Sequence, residues 1–143
     1  MGLARATLMA WPAMVPIAIA SASRPASRNG PGPSAMRASK LFSQVLINLL
    51  RNAAEAATGY AEAPRVTLAF ALNARGSTRI EVADNGPGIA DALADDVFLP
   101  FFTTKAKGSG VGLSLARQLV LAHGGSISLA RSDEGGALFR IVI

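Results

Sequence analysis

"TRIEVADNGPGI", residues 78–89, decides how this chain is read. "TRIEVAD" reads as a strand, and it runs straight into an acid, an amide and two glycines within "DNGPGI", 84–89. A turn needs one or two such residues, so this stretch holds more than a turn requires. Glycine lets a backbone come close to a ligand, and a carboxylate fixed at a strand end can accept a hydrogen bond from an exocyclic amine. By itself Asp84-Asn85-Gly86 would pass for an ordinary turn. A second cluster, "GSGVG" at 108–112, changes that reading because it leads directly into a helix, whose free N–H groups favour phosphate.

The segments on either side supply the frame. "RVTLAFAL", 65–72, alternates Val66, Leu68, Phe70 and Leu72 and predicts a half-buried strand; "NARG", 73–76, turns the chain back into 78–84. Upstream, Leu41, Val45, Leu49, Ala53 and Ala56 recur at three- and four-residue steps, which predicts a helix capped by Ser39 and stopped at Gly59. Downstream, residues 87–109 carry little regular signal. "GVGLSLARQLVLAH", 110–123, predicts a second amphipathic helix ended by Gly124 and Gly125, and "SISLARS" and "ALFRIVI" close a hairpin around "DEGG", 133–136. This order predicts an α+β fold: a two-layer α/β sandwich with helices on one face of a mixed, mainly antiparallel sheet.

Composition bounds the rest. A chain of 143 residues that is 50% hydrophobic and 16% charged suits one domain with a real core. The net charge of +5 comes from single, scattered Arg and Lys, with no basic run and no aromatic stripe, so it fits an anionic ligand and solubility and not nucleic acid. The absence of cysteine excludes disulfides and thiolate metal sites. Composition shifts near residue 36. Residues 1–35 are rich in Ala, Pro, Ser and Gly, and "SRNGPGPS", 27–34, reads as linker. Three readings of this segment stand: a disordered or loosely attached extension, which we prefer; a remnant of a preceding domain or a misassigned start; and a secretory signal, which fits least with a nucleotide site. Pro12 and Pro16 interrupt its apolar stretch, which is too short for a membrane span. The expected organisation is an N-terminal extension over 1–35 and a domain over 36–143 that makes no membrane contact.

Polar residues inside the apolar elements mark the chemistry. Asn48 and Asn52 lie four apart on the first helix and share a face, at a cost in helix propensity. An amide oxygen is a hard neutral ligand of the kind Mg²⁺ accepts beside phosphate. Glu55, one turn on, reads as solvent-facing. The glycine cluster at 108–112 lacks the Gly-Lys-Ser/Thr of a Walker loop and the strand-adjacent spacing of a dinucleotide fingerprint. "FLPFFTTK", 98–105, places three Phe around Pro100 before Thr103, Thr104 and Lys105, as a hydrophobic anchor for a mobile lid would.

These stretches together resemble the catalytic ATP-binding domain of sensor histidine kinases. "QVLINLLRNAAEA" resembles the N box, "DNGPGI" the G1 box, "FLPFFTTK" the F box and "GSGVGLSLARQLVLAHGGSI" the G2 box with its helix, in order over residues 40–143. The resemblance implies the Bergerat fold shared with gyrase, MutL and Hsp90, with ATP and Mg²⁺ as ligands. It implies Asn52 as the metal ligand with Asn48 beside it, Asp84 as the reader of the adenine amine, and Gly86, Gly88 and Ile89 around that base. Gly108, Gly110 and Gly112 would line the phosphates and hinge the lid, and Thr104, Lys105, Val111 and Leu113 would join the ATP-binding residues; a Lys at 105 can meet phosphate, although a solvated Lys is the commoner fate. Hydrolysing members of the group carry Glu where this chain has Asn48, and an amide cannot act as a general base, so the site suits transfer and not hydrolysis. The single histidine, His123, sits at a helix end and reads as structural. The expected partner is a His-bearing dimerisation domain from another chain or a missing upstream segment, with a response regulator acting downstream; the expected location is cytoplasmic. The alternative is an ATP-binding regulatory module or an inactive kinase remnant.

Overall fold

The computed structural model describes residues 4–9, 33–72 and 77–143, with side chains placed from Phe42 onward except at Leu72. The elements are strand β1 (Ala4–Met9), helix α1 (Pro33–Thr58), strands β2 (Arg65–Leu72) and β3 (Thr78–Asp84), helix α2 (Gly112–Ala122), and strands β4 (Ser126–Arg131) and β5 (Ala137–Val142). The strands form one sheet in the order β1-β2-β3-β5-β4, and each described pairing is antiparallel. From β3 the chain passes through a long loop and α2 to the far edge, lays down β4, and returns as β5 beside β3. That return sets the end of β3 against the start of β5, with Ala83 opposite Leu138.

Both helices lie on one face of the sheet, α1 over β2 and β3 and α2 over β4. The core between the layers joins Val45, Leu49, Ala53 and Ala57 of α1 to Leu68, Ile80, Val82, Phe139 and Ile141 of the sheet and to Ala116 and Val120 of α2. On β3 and β5 burial alternates with the pleat, as a sheet with one covered face requires. Removing a buried branched side chain such as Ile141, which is wholly inaccessible, would cost about 2–5 kcal/mol.

Three local expectations change. Helix α1 does not start at Ser39 but six residues earlier, at Pro33, whose fixed φ and missing N–H suit a first helical turn. The helix therefore runs through the composition shift at 35/36. The buried stripe continues to Ala57 and not Ala56, because Ala56 faces Gly86 at the end of β3. Residues Ala4–Met9, within the segment read as a loose extension, pair with β2 as the sheet's edge strand. The "NARG" turn and most of the 27–34 linker lie outside the described residues. Among those residues no helix is long and apolar enough to cross a membrane.

Candidate functional site

Antiparallel pairing of β3 with β5 carries Asp84 to the mouth of the sandwich, beside Ala137. Its Oδ1 accepts two backbone N–H bonds, from Gly86 at 2.8 Å and from Ala137 at 3.2 Å. The residue is only 4% exposed, and burial pushes its carboxyl above the ordinary range, with the two N–H donors opposing that rise. Three glycines let this arrangement close. A Cβ on Gly86 would stand 2.8 Å from the Ala56 carbonyl carbon of α1. Gly88 has φ +76°, and a Cβ there would meet the Gly135 oxygen at 3.0 Å. A Cβ on Gly136 would collide with both the backbone and the carboxylate of Asp84.

Asn85 explains why the turn needs an amide. Its Oδ1 accepts from the Arg65 N–H and its Nδ2 donates to the Ala63 carbonyl, both at 2.8 Å, so it clamps the α1–β2 connection to the end of β3. The Arg65–Glu134 ion pair, 3.0 Å, ties the same corner to the β4–β5 turn.

Asn48 and Asn52 sit earlier on α1, both half-buried. From Asn48 to Ala56 is eight residues, or about 12 Å of helix. Asn48 Nδ2 donates to the Gly112 carbonyl at 3.4 Å, at the start of α2. Asn52 Oδ1 accepts from the Lys105 ammonium at 3.3 Å. Lys105 also pairs with Glu55, which holds the Glu55 carboxyl below its ordinary range; Arg51, 3.0 Å away, adds to the effect. Glu55 is thus engaged by two cations, where the sequence read it as merely solvated. Helix α2 begins at Gly112 after Val111, which provides no side-chain cap, so the first N–H groups of the helix are left for another acceptor.

The segment between these ends behaves as two parts. Phe98 is buried edge-to-face against Phe139, with ring centroids 6.1 Å apart, and Arg117 lies over its ring. Phe102 packs against the core. Phe101, expected in the same anchor, is instead 78% exposed with φ +65°. Its N–H donates to Gly110, whose own φ is +67° and whose missing Cβ leaves room for the Phe101 backbone. One crossing therefore joins the two ends of the loop between Phe101 and Gly110.

Of the residues expected at the site, Asp84, Gly86 and Gly88 gather at the β3 end, and Asn48, Asn52, Lys105 and Gly112 at the α2 end. Ile89 and Leu113 pack partly into the core; Thr104, Gly108 and Val111 are exposed. Sequence reasoning missed Gly136, Asn85 and Ala56. The signal for Gly136 was the second glycine of "DEGG", one more than a hairpin turn needs.

Residues 37–143 match the family described as histidine kinase-, DNA gyrase B-, and HSP90-like ATPase. The C4-dicarboxylate transport sensor protein DctS of Rhodobacter capsulatus is 43% identical over 107 residues, which is 72% of this chain but 16% of DctS. Sensor protein FixL of Bradyrhizobium diazoefficiens is 37% identical over 79% of this chain and 22% of its own length. The chain therefore spans about a fifth or less of these relatives. Among solved structures, the mycobacterial sensor histidine kinase MprB superposes with a TM-score of 0.66 at 28% identity, covering 73% of this chain and 72% of that one. Sheet order and these likenesses agree: the chain belongs to the histidine kinase-, DNA gyrase B-, and HSP90-like ATPase family, as a catalytic ATP-binding domain of the sensor histidine kinase type.

Proposed function

We propose that the chain binds ATP with Mg²⁺ between α1 and the lid and hands the γ-phosphoryl group to a histidine on a separate dimerisation domain, from which a response regulator takes it. The observation that carries this reading is the spacing of unlike groups along α1. A buried carboxylate lies at one end; a pair of amides and an uncapped helix start lie at the other. Asp84 accepts the adenine amine, since its two backbone bonds both fall on Oδ1 and leave Oδ2 for a ligand. The N–H groups of Gly112 and Leu113 receive phosphate. The donor set fits a hard cation: an amide oxygen and a carboxylate already hold an ammonium ion between them. When bound, the metal neutralises charge on the phosphates during transfer. Asn52 holds it, and Asn48 orients the start of α2 and cannot activate water.

Acceptor docking has an apolar surface at the lid base, which favours the kinase over a purely regulatory ATP-binding module. Leu99, Phe101, Val111 and Leu115 are all exposed there, between 40% and 78%.

The purified chain with labelled ATP and Mg²⁺ should not label itself. His123 lies eleven residues beyond Gly112, roughly 16 Å along the helix, and its Nδ1 donates to the Leu119 carbonyl at 2.7 Å. Transfer needs the acceptor in line and close. Given a His-bearing dimerisation domain from a matching kinase, the same chain should label that domain in an acid-labile form, as a phosphoramidate is. Acid-stable label on the chain alone, surviving His123→Ala, would contradict the assignment.

A further inference from the structure

The lid reaches back to α1 through one side chain. Lys105 donates to Asn52 Oδ1 at 3.3 Å and pairs with Glu55, 53 and 50 positions away in sequence. Its position is set by its own loop: the Lys105 N–H donates to Thr103 Oγ1 at 3.1 Å, and the Gly108 N–H donates to the Lys105 carbonyl at 3.1 Å. A Cβ on Gly108 would overlap Thr103 Oγ1, so the loop closes this tightly only with glycine there. Three oxygen-bearing or cationic groups thus meet at one point of α1, with Arg51 holding the far side of Glu55.

The oxygen already in use is the one expected to hold a divalent cation. Two cations on it disfavour each other: unit charges about 4 Å apart repel by roughly 1 kcal/mol in water and more near protein, and a divalent ion doubles that. We propose that Lys105 is a place-holder cation: in the nucleotide-free chain its ammonium occupies the metal's position on Asn52, so loading a metal–nucleotide complex is an exchange of ions that also opens the lid, and Glu55 sets the balance of that exchange. This rests on the reading of Asn52 as the metal residue. The ion pair is part-exposed at both partners, so its hold is weak and within reach of a ligand. Once released, Lys105 is free to face phosphate, and Glu55 adds its charge to the metal's side. The lowered Glu55 carboxyl agrees with this contact.

The test uses the whole chain with Mn²⁺ and ADP, which lacks the γ-phosphate that Lys105 would otherwise meet. The readout is the ratio of ADP affinity with Mn²⁺ to that without, measured by calorimetry. Lys105→Met should raise this ratio about 1.5-fold to fivefold, the scale of one exposed ion pair, and Lys105→Arg should return it to the parent value. Glu55→Gln should speed tryptic cleavage after Lys107 in the nucleotide-free chain by a similar factor, because the lid loses its tether. A ratio that depends on Asn52 but not on Lys105, with unchanged cleavage in Glu55→Gln, overturns the place-holder alone. An ADP affinity indifferent to Mn²⁺ in the parent and in Asn52→Ala overturns the metal reading, and the exchange with it.

Discussion

The two ends of the site are built differently. At the Asp84 end, strand pairing, two backbone donors, the Asn85 clamp and three close-packed glycines hold one buried carboxylate. At the Lys105 end, an exposed loop is held by a part-exposed ion pair, one long amide bond and a crossing of two left-handed residues. Buried polar groups are costly unless satisfied, so the first end exists before any ligand arrives. The second is held by contacts that solvent competes for, and such segments open at little cost. One candidate site thus pairs a rigid, buried end with an exposed loop that can move.

The sharpest way to break this contrast is Gly136→Ala. The added methyl meets the backbone and carboxylate of Asp84, neither of which can swing aside. Stability should fall by about 1–3 kcal/mol in urea denaturation, and ADP affinity should fall with it. An unchanged midpoint would show that the Asp84 end is as pliant as the lid.

Asp84→Asn separates binding from folding. It removes the charge and turns part of an acceptor into a donor, so ADP affinity should drop by about 1–3 kcal/mol by calorimetry. The nucleotide-free fold should respond otherwise. Burial raises the Asp84 pKa in the folded state, so its stabilising contribution is present below the unfolded pKa and lost as pH rises through the folded one. At neutral pH the parent carries a buried charge that Asn lacks, and the variant should be no less stable there. The parent alone should gain stability as pH falls through the raised pKa. Urea midpoints at neutral and mildly acid pH compare the two directly.

On the other side, Asn52→Ala should abolish the Mg²⁺ dependence of ATP binding while the fold persists, with about half a kcal/mol gained in helix propensity. An unfolded variant would make Asn52 structural. A comparably small stability effect is expected for Phe101→Gly. Relief of a left-handed residue, about 1–2 kcal/mol, is offset by the added chain entropy of glycine, about 0.5–1 kcal/mol. The midpoint should move little, while labelling of a separate dimerisation domain falls because an exposed ring is lost. Unchanged labelling would remove Phe101 from the docking surface.

Much of this was legible because it is local. Alternation over 65–72 and 78–84, the helical spacing of Val45, Leu49 and Ala53, and Gly124 at the end of α2, with φ +73°, depend on neighbours in the chain. The Asn48–Asn52 pair and the two glycine clusters stood out because each is locally unfavourable without a ligand. Local preference misled where two signals competed. Ser39 is a good cap, but Pro33 is a good first residue, and a helix already running has no use for a cap in its interior.

Residue chemistry and periodicity along the chain were thus enough to predict the sandwich and its one-sided helices, and the resemblance supplied the boxes and their order. Tertiary structure alone decided that Gly136 makes room for Asp84, that Ala56 and Gly86 touch, that Phe101 leaves the anchor for solvent, and that Lys105 finds Glu55 and Asn52. Each of these joins residues dozens of positions apart or weighs burial against exposure. Steric exclusion and ion pairing act through space at a few ångströms, and no preference of a residue for its own neighbours encodes which distant atoms the fold will bring that close.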